Sequence, residues 1–206
     1  MVGLLVSHLT IIRDASVALR SNIFRDLTNV PDVDFGFTDL ATDIVLSGPD
    51  SDIPAAAHLS IYLYHIEPDP LLRNQSQLPV ATTGLVRAPL ALRLYYLMTP
   101  LLDDEEVNQL VLGRILQALH DRPFIDEVAG GPLDDSRGGG SPELRLSLEP
   151  MTLEDLSRVW HAMGSDYRLS IAYLMRTVMV DSALDPLRAS RVEEAHVAVE
   201  QRGARR

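Results

Sequence analysis

The stretch HLSIYLYHIEPDPLLRNQSQLP, residues 58–79, decides the fold, because it begins as a strand and then breaks into prolines, charges and amides. In its first half, Leu59, Ile61 and Leu63 fall on one face of an extended chain, and two tyrosines fall on the other. Little periodicity follows over residues 67–88. A loop of that length in a compact domain is commonly functional or disordered. The pattern therefore predicts a strand that leaves its sheet and contacts another protein.

TDIVLSG, residues 42–48, has the pattern of a short strand, and three longer stretches also have the pattern of strands. LALRLYYLM, residues 90–98, places Arg93 and Tyr95 on the side away from the core. ELRLSLEP, residues 143–150, places its leucines on one inward face. YRLSIAYLMRTVMV, residues 167–180, is apolar on both faces, which indicates a central strand.

Apolar residues at helical spacing predict helices over residues 7–27, 102–123 and 151–163. Thr152 is the predicted N-cap of the third helix. The order helix, strands, helix, strand, helix, strand predicts an α+β fold with a mostly antiparallel sheet of about four to five strands and flanking helices. The residues of these elements that are predicted to face the core include Leu90, Leu110, Leu148, Leu153 and Trp160.

The length predicts one domain with an extension. Hydrophobic residues make up 46% of the 206 residues, which is enough for one core. We assign residues 1–184 to the α+β domain and residues 185–206 to a charged C-terminal tail that is helical or flexible. The glycine-rich segment AGGPLDDSRGGGSP, residues 129–142, predicts a flexible connection inside the domain.

Composition excludes several classes of function. A net charge of −11 argues against sequence-independent binding to nucleic acid, because the phosphate backbone repels such a chain. No cysteine is present, which excludes disulfides and thiolate nucleophiles. The N-terminus lacks the basic region of a signal peptide, and no apolar run reaches the roughly 20 residues that a membrane helix needs. We expect synthesis in the cytoplasm and no insertion into a membrane.

Motifs for catalysis or for metal binding are not found in the sequence. It contains no H-E-x-x-H, no G-x-S-x-G and no G-x-x-x-x-G-K-[ST]. The sequence therefore predicts no enzyme, no cofactor and no metal. Two alternatives stay open: an adaptor module that binds a peptide at a sheet edge, and a small enzyme with a site near His65, Glu67 and Arg73.

Five blocks of the sequence, in order, resemble one family. They are LSIYLYHIEPDPLLRN, RAPLALRLYYLMTP, LVLGRILQALHDRPFI, LRLSLEPMTLEDLSRVWHAM and YRLSIAYLMRTVMVD. Together they resemble the cap, or tail-terminator, proteins of bacterial extracellular contractile injection systems. Those systems are phage-tail-like particles with an inner tube and a contractile sheath. The resemblance spans about residues 5–182.

This resemblance implies a structural role and a phage tail-terminator-like fold. It implies a ring of identical copies, a hexamer, that binds the distal end of the inner tube and sheath and stops polymerisation. The implied partners are further copies of the chain, the inner tube protein and the sheath protein. The resemblance also implies that the protein becomes part of an assembled particle, either cytoplasmic or released.

For such a role we predict contact residues rather than catalytic ones. They lie at the exit of the first strand, on the outer face of the neighbouring strand and in the C-terminal tail. The predicted contact residues are Tyr64, His65, Glu67, Arg73, Asn74, Arg93, Tyr95, Arg191, Glu193, Glu194 and Arg202.

Overall fold

Four helices and ten strands are formed by the described residues of the computed structural model. The described residues are 7–31, 33–50, 52–72, 78–80, 84–86, 89–125, 127–128, 131–132 and 144–180. In chain order the elements are α1 (Ser7–Thr28), α2 (Leu40–Asp43), β1 (Ile44–Val45), β2 (Leu59–Pro68), β3 (Leu78–Val80), β4 (Gly84–Val86), β5 (Leu90–Pro100), α3 (Glu105–Asp121), β6 (Phe124–Ile125), β7 (Glu127–Val128), β8 (Gly131–Pro132), β9 (Leu144–Leu148), α4 (Leu153–Met163) and β10 (Ile171–Val180).

The main sheet has the strand order β1-β2-β5-β10-β9-β6. Strand β1 pairs with β2 in parallel, and the other four neighbouring pairs are antiparallel. The predicted α+β class is therefore confirmed. The short strand predicted within residues 42–48 is present as β1. The sheet has six strands rather than the predicted four to five, because the two-residue strand β6 adds to the predicted ones. Strands that short leave no alternating pattern in the sequence.

Strand β5 lies between two strands that each carry a β-bulge. In β2 the extra residue is Tyr64, and in β10 Arg176 and Thr177 together oppose Arg93. A bulge changes the phase of the alternation on its own strand. In β2 the change brings His65 to the same face as Tyr64, where its ring lies 5.2 Å from the ring of Tyr95.

One face of the sheet packs against α1 and α3. Leu19 and Ile23 of α1 are buried there with Leu94 of β5 and Ile115 of α3. Tyr96 of β5 is also buried, its hydroxyl lies 2.8 Å from the hydroxyl of Ser16 in α1, and burial raises the pKa of Tyr96 to about 12. The amphipathic stripe predicted for α1 is confirmed by this core.

The opposite face is covered in part by α4. Trp160 is buried against Leu97 of β5 and Ala172 of β10. The hydroxyl of Thr152 accepts a hydrogen bond from the backbone N–H of Asp155, so the predicted N-cap is confirmed. The core placement predicted for Trp160 is confirmed as well.

Four leucines predicted to face the core are exposed instead. Leu90 begins β5, Leu148 ends β9 and Leu153 begins α4, so each lies at the margin of its element. Leu110 is exposed because the buried side of α3 extends through Leu112 instead. In the sequence the apolar pattern continues to the ends of these elements. The neighbouring elements that could bury the terminal leucines do not extend that far.

The segment predicted to lack periodic structure, residues 67–88, contains described strands. Strand β2 continues to Pro68, and β3 and β4 pair with each other as a separate antiparallel ladder. The prediction was therefore wrong for these parts. Three-residue strands are too short to produce a readable alternation. The glycine-rich segment lies outside the described residues except for Gly131 and Pro132, and the C-terminal tail lies outside them entirely.

Candidate functional site

Five of the predicted contact residues come together on the face of the sheet that α4 covers in part. They are Tyr64, His65 and Glu67 of β2 and Arg93 and Tyr95 of β5. We call this group the Glu67 cluster. The bulge at Tyr64 builds it, because it turns His65 and Glu67 toward the same side as the β5 residues. The other predicted contact residues lie outside the described residues, namely Arg73, Asn74, Arg191, Glu193, Glu194 and Arg202.

The carboxylate of Glu67 is the centre of the cluster. The Tyr95 hydroxyl donates a hydrogen bond of 2.5 Å to its Oε1 atom, and Nη1 of Arg93 lies 3.4 Å from the same oxygen. Nε2 of His65 lies 3.7 Å from the second oxygen, Oε2. Glu67 and Arg93 are also direct cross-strand partners, so the sheet itself holds the pair in register.

The protonation states of the cluster are set by these contacts. The hydrogen bond from Tyr95 lowers the pKa of Glu67, and Arg93 adds to this effect. Burial raises the pKa of Tyr95, and its hydrogen bond to the Glu67 carboxylate raises it further. At neutral pH Glu67 is therefore an ionised acceptor and Tyr95 a protonated donor. Such an arrangement holds side chains in place rather than moving a proton.

Asp69 belongs to the same network, although it is not among the predicted contact residues. Its side chain is buried, and its Oδ2 atom lies 3.5 Å from Nε of Arg93. Its Oδ1 atom accepts the backbone N–H of Leu71, which closes the turn after β2. An aspartate directly before a proline is a sequence signal for such a turn. Asp69 therefore ties the end of β2 to the guanidinium of β5.

Tyr64 connects the cluster to the segment that leads into α4. Its ring lies 6.2 Å from the ring of Tyr95, and its hydroxyl contacts Sδ of Met151 at 3.4 Å. Burial, followed by the nearby charge of Glu149, raises the pKa of Tyr64 to about 12. The tyrosine is therefore neutral over the whole physiological range and acts as an apolar contact with one polar tip.

The small-enzyme alternative requires a pocket at His65, Glu67 and Arg73. A surface cleft of about 390 Å³ lies nearby between β2 and α4, but its lining includes Tyr62, Tyr64 and Met163 and neither His65 nor Glu67. Arg73 lies outside the described residues. Across the described ranges, no group of three or more His, Asp or Glu side chains has an arrangement able to hold a metal ion. Among the described helices, none combines the length and the apolar character needed to cross a membrane.

A comparison with protein families decides which family the chain matches. The family model described as the Pvc16 N-terminal domain matches residues 16–194. The chain belongs to the Pvc16 N-terminal domain family. The match includes every described residue of the Glu67 cluster and all strands of the main sheet. Together with the two structural matches that follow, this match confirms the resemblance to caps of contractile injection systems that was predicted from the five sequence blocks.

Two solved structures show the same fold as this Pvc16 N-terminal domain. One is the PVC sheath/tube terminator of an extracellular contractile injection system in its extended state, with 24% sequence identity and a TM-score of 0.58. The match covers 92% of this chain and 63% of that one. The other is the tube-terminating cap of the anti-feeding prophage, with 20% identity, a TM-score of 0.55 and coverage of 93% and 61%. The chain thus spans less than two thirds of either protein, and a search among curated proteins finds no match.

Proposed function

We propose that the protein is a structural cap, or tail-terminator, of a contractile injection system. It forms a ring, a hexamer, that binds the distal end of the inner tube and sheath and stops their polymerisation. The observation that carries this proposal is the family match over residues 16–194. The shared fold with two proteins described as terminators supports it. The partners are further copies of the chain, the tube protein and the sheath protein, and the role needs no cofactor, nucleic acid or membrane.

The Glu67 cluster supplies a suitable contact surface for this role. Its inner members are fixed, because Arg93 is mostly buried between the carboxylates of Glu67 and Asp69. Its outer members are accessible, with 53% of the His65 side chain and 37% of the Glu67 side chain exposed. Tyrosine and arginine are over-represented among residues that dominate interface energies. A preorganised patch of this kind loses little side-chain entropy on binding.

The segments outside the described residues complete the proposed interface. We assign Arg73 and Asn74 to the same contact surface, since they follow β2 by only a few residues. We assign residues 185–206, which include Arg191, Glu193, Glu194 and Arg202, to a tail that clamps a neighbouring subunit. The protein is made in the cytoplasm and then joins the particle.

Particle length tests the proposed function. Deleting the gene should broaden the length distribution of particles and leave one end without a cap, as measured by negative-stain electron microscopy. Supplying the protein in trans should restore one narrow length class. The proposal fails if lengths are unchanged and a tagged copy of the protein is never found at a particle end.

An adaptor module is the second candidate, favoured by the free edge of β2. Strand β1 pairs only with Leu59 and Ser60, so residues 61–68 have a partner strand on the β5 side alone among the described strands. Such an edge can accept an extended peptide. A purified protein that stays monomeric and binds a strand-forming peptide with no tube or sheath present favours this function over the cap.

A further inference from the structure

A row of arginines crosses the sheet next to the Glu67 cluster. Glu67 of β2 pairs with Arg93 of β5, and Arg93 is opposed by the β10 bulge that contains Arg176. Arg176 pairs in turn with Arg145 of β9. Direct cross-strand neighbours lie about 4.5–5.5 Å apart at their Cβ atoms. Three guanidinium groups therefore lie on adjacent strands of one face, in a chain whose net charge is −11. We call Arg93, Arg176 and Arg145 the arginine row.

The charges of this row are compensated at only one end by the described residues. Glu67 and Asp69 are the carboxylates near Arg93. Arg176 is half-buried, and its Nε atom is buried with no hydrogen-bond partner among the described residues. Arg145 is exposed and lies with its guanidinium carbon 5.8 Å from the ring centre of Phe124. Arg176 and Arg145 have no described carboxylate within ion-pair distance.

This arrangement destabilises the isolated subunit and favours an acidic ligand. Like charges directly opposite each other on neighbouring strands repel, and a buried donor without a partner carries a desolvation cost. A carboxylate placed between the two guanidinium groups would remove both costs at once. Arginine is well suited to this contact, because its planar fork binds a carboxylate through two parallel hydrogen bonds.

The chain carries a matching acidic surface at the other end of β5. Residues 103–106 are Asp-Asp-Glu-Glu and all are exposed. They span the last two residues before α3 and the first two residues of α3, and we call them the acidic turn. The Asp104 carboxylate caps α3 and Glu105 accepts a hydrogen bond from Asn108. Asp103 and Glu106 have no partner of opposite charge among the described side chains. Because β5 ends at Pro100, this acidic turn lies about 20 Å or more along the strand direction from Arg93.

We propose that the arginine row of one subunit binds the acidic turn, residues 103–106, of the next subunit in the ring. This inference rests on the ring of the proposed function and names the contact that closes it. Two complementary patches at different places on one molecule form a head-to-tail contact, which repeats around a closed ring. The overall charge opposes association of identical acidic subunits, and this local pair supplies the attraction and the register.

Charge reversal tests the proposed contact. Arg145→Glu places a negative charge in the row at an exposed position, so the fold is retained, as checked by thermal unfolding. The expected result is about a tenfold or greater loss of ring association, measured by mass photometry of the purified protein and by electron microscopy of particle ends. Arg176→Gln should weaken the ring in the same direction. Arg158→Glu is the matched control, because it makes the same charge change on the exposed side of α4 and should leave the ring intact.

Rescue separates this contact from other roles of Arg145. Adding Asp103→Arg and Glu106→Arg to the Arg145→Glu chain restores opposite charges and should restore the ring. A ring that survives Arg145→Glu unchanged overturns the inference and leaves the proposed function standing. A ring that survives while binding to tube or sheath is lost also overturns it, and assigns the row to those partners. A wild-type protein that forms no ring, alone or on particles, contradicts the proposed function itself.

Discussion

At the scale of single residues, Glu67 determines how the outer end of β2 is held to β5. It accepts a hydrogen bond from Tyr95 and lies beside the Arg93 guanidinium, and both contacts favour its ionised form. A carboxyl group whose pKa is lowered on folding contributes stability above its unfolded pKa. That contribution is lost as the pH falls through the folded pKa. The contacts of Glu67 at this end of the sheet should therefore weaken in acid, as the carboxyl group becomes protonated.

Substituting Tyr95→Phe tests this pH dependence. The change removes the main cause of the lowered Glu67 pKa. We expect a loss of about 0.5–1 kcal/mol in the free energy of unfolding at pH 7, at the low end for a hydrogen bond because Glu67 is partly exposed. The difference from wild type should shrink below about pH 4, where the unfolded carboxyl group is protonated. Urea unfolding at pH 7 and at pH 3.5 measures both values.

The control for this substitution is Tyr62→Phe, since the Tyr62 hydroxyl makes no hydrogen bond to the described residues. It should be nearly neutral at both pH values. An equal loss for Tyr95→Phe at pH 7 and pH 3.5 would show that the hydroxyl acts without Glu67, and would contradict the assignment.

The members of the Glu67 cluster could be predicted individually as contact residues, but their proximity to one another could not. Arg93 and Tyr95 were predicted to lie away from the core because their neighbours alternate, and that is confirmed. Strict alternation along β2, however, places His65 on the side of Ile61. The bulge reverses this placement, and it arises from the pairing of β2 with β5 rather than from any residue of β2 alone. The part played by Asp69 depends on the same pairing.

At the scale of elements, the end of α4 shows how one residue stops a helix. Gly164 follows Met163 with φ of 69°, a left-handed conformation, and its N–H bonds back to the carbonyl of His161. A residue with a Cβ atom is strained in this conformation even though nothing lies within 4 Å. Gly113, by contrast, lies inside α3 with open space around it.

We expect substitution by alanine to have opposite effects on the free energy of unfolding at these two glycines. Gly164→Ala should lower the free energy of unfolding by about 1 kcal/mol, because alanine is disfavoured at positive φ. Gly113→Ala should raise it by up to about 1 kcal/mol, because alanine is the better helix former. Thermal or urea unfolding of both variants measures the pair. Effects of the same sign at the two positions would contradict the role assigned to the Gly164 cap.

Docking of α4 onto the sheet can be tested at Trp160. Its side chain is 2% exposed between α4 and the sheet, whereas Leu153 at the start of the same helix is 71% exposed. Trp160→Ala should destabilise the protein by about 3–5 kcal/mol, and Leu153→Ala should change stability by less than about 0.5 kcal/mol. Chemical unfolding measures both changes. A large loss of stability for Leu153→Ala would indicate that Leu153 is buried, which would contradict the structure.

Elements with several residues of clear periodicity were predicted well, whereas among the two- and three-residue strands only β1 was predicted, within residues 42–48. The cap at Thr152 and the stripe of α1 are local signals, so the sequence carries them. Strand β6 forms by pairing with β9, which lies about twenty residues further along the chain. That information is non-local. The exposed Leu148 has the same origin, since its burial depends on where the neighbouring elements end.

At the scale of the whole molecule, the net negative charge of the chain opposes the assembly of identical subunits into a ring. Identical subunits with a net charge of −11 repel one another, so a ring needs local attraction between opposite charges. The proposed contact meets this need with the arginine row on one side and the acidic turn on the other. Because each subunit carries one arginine row and one acidic turn, the contact is head-to-tail and so has a direction. A subunit in which one of the two patches is mutated can still bind through the other patch.

This direction predicts how two damaged variants behave when they are mixed. One carries Arg145→Glu and keeps its acidic turn, and the other carries Asp103→Arg and Glu106→Arg and keeps its arginine row. Neither should form rings alone, because each then opposes like charges at every junction. In an equal mixture each junction pairs opposite charges if the two variants alternate around the ring. Native mass spectrometry should therefore find rings with equal numbers of both variants and an even total, which a hexamer satisfies. Rings with unequal numbers of the two variants would refute a head-to-tail contact between these two patches. The same conclusion would follow if the mixture formed no rings under conditions in which the wild-type protein forms them.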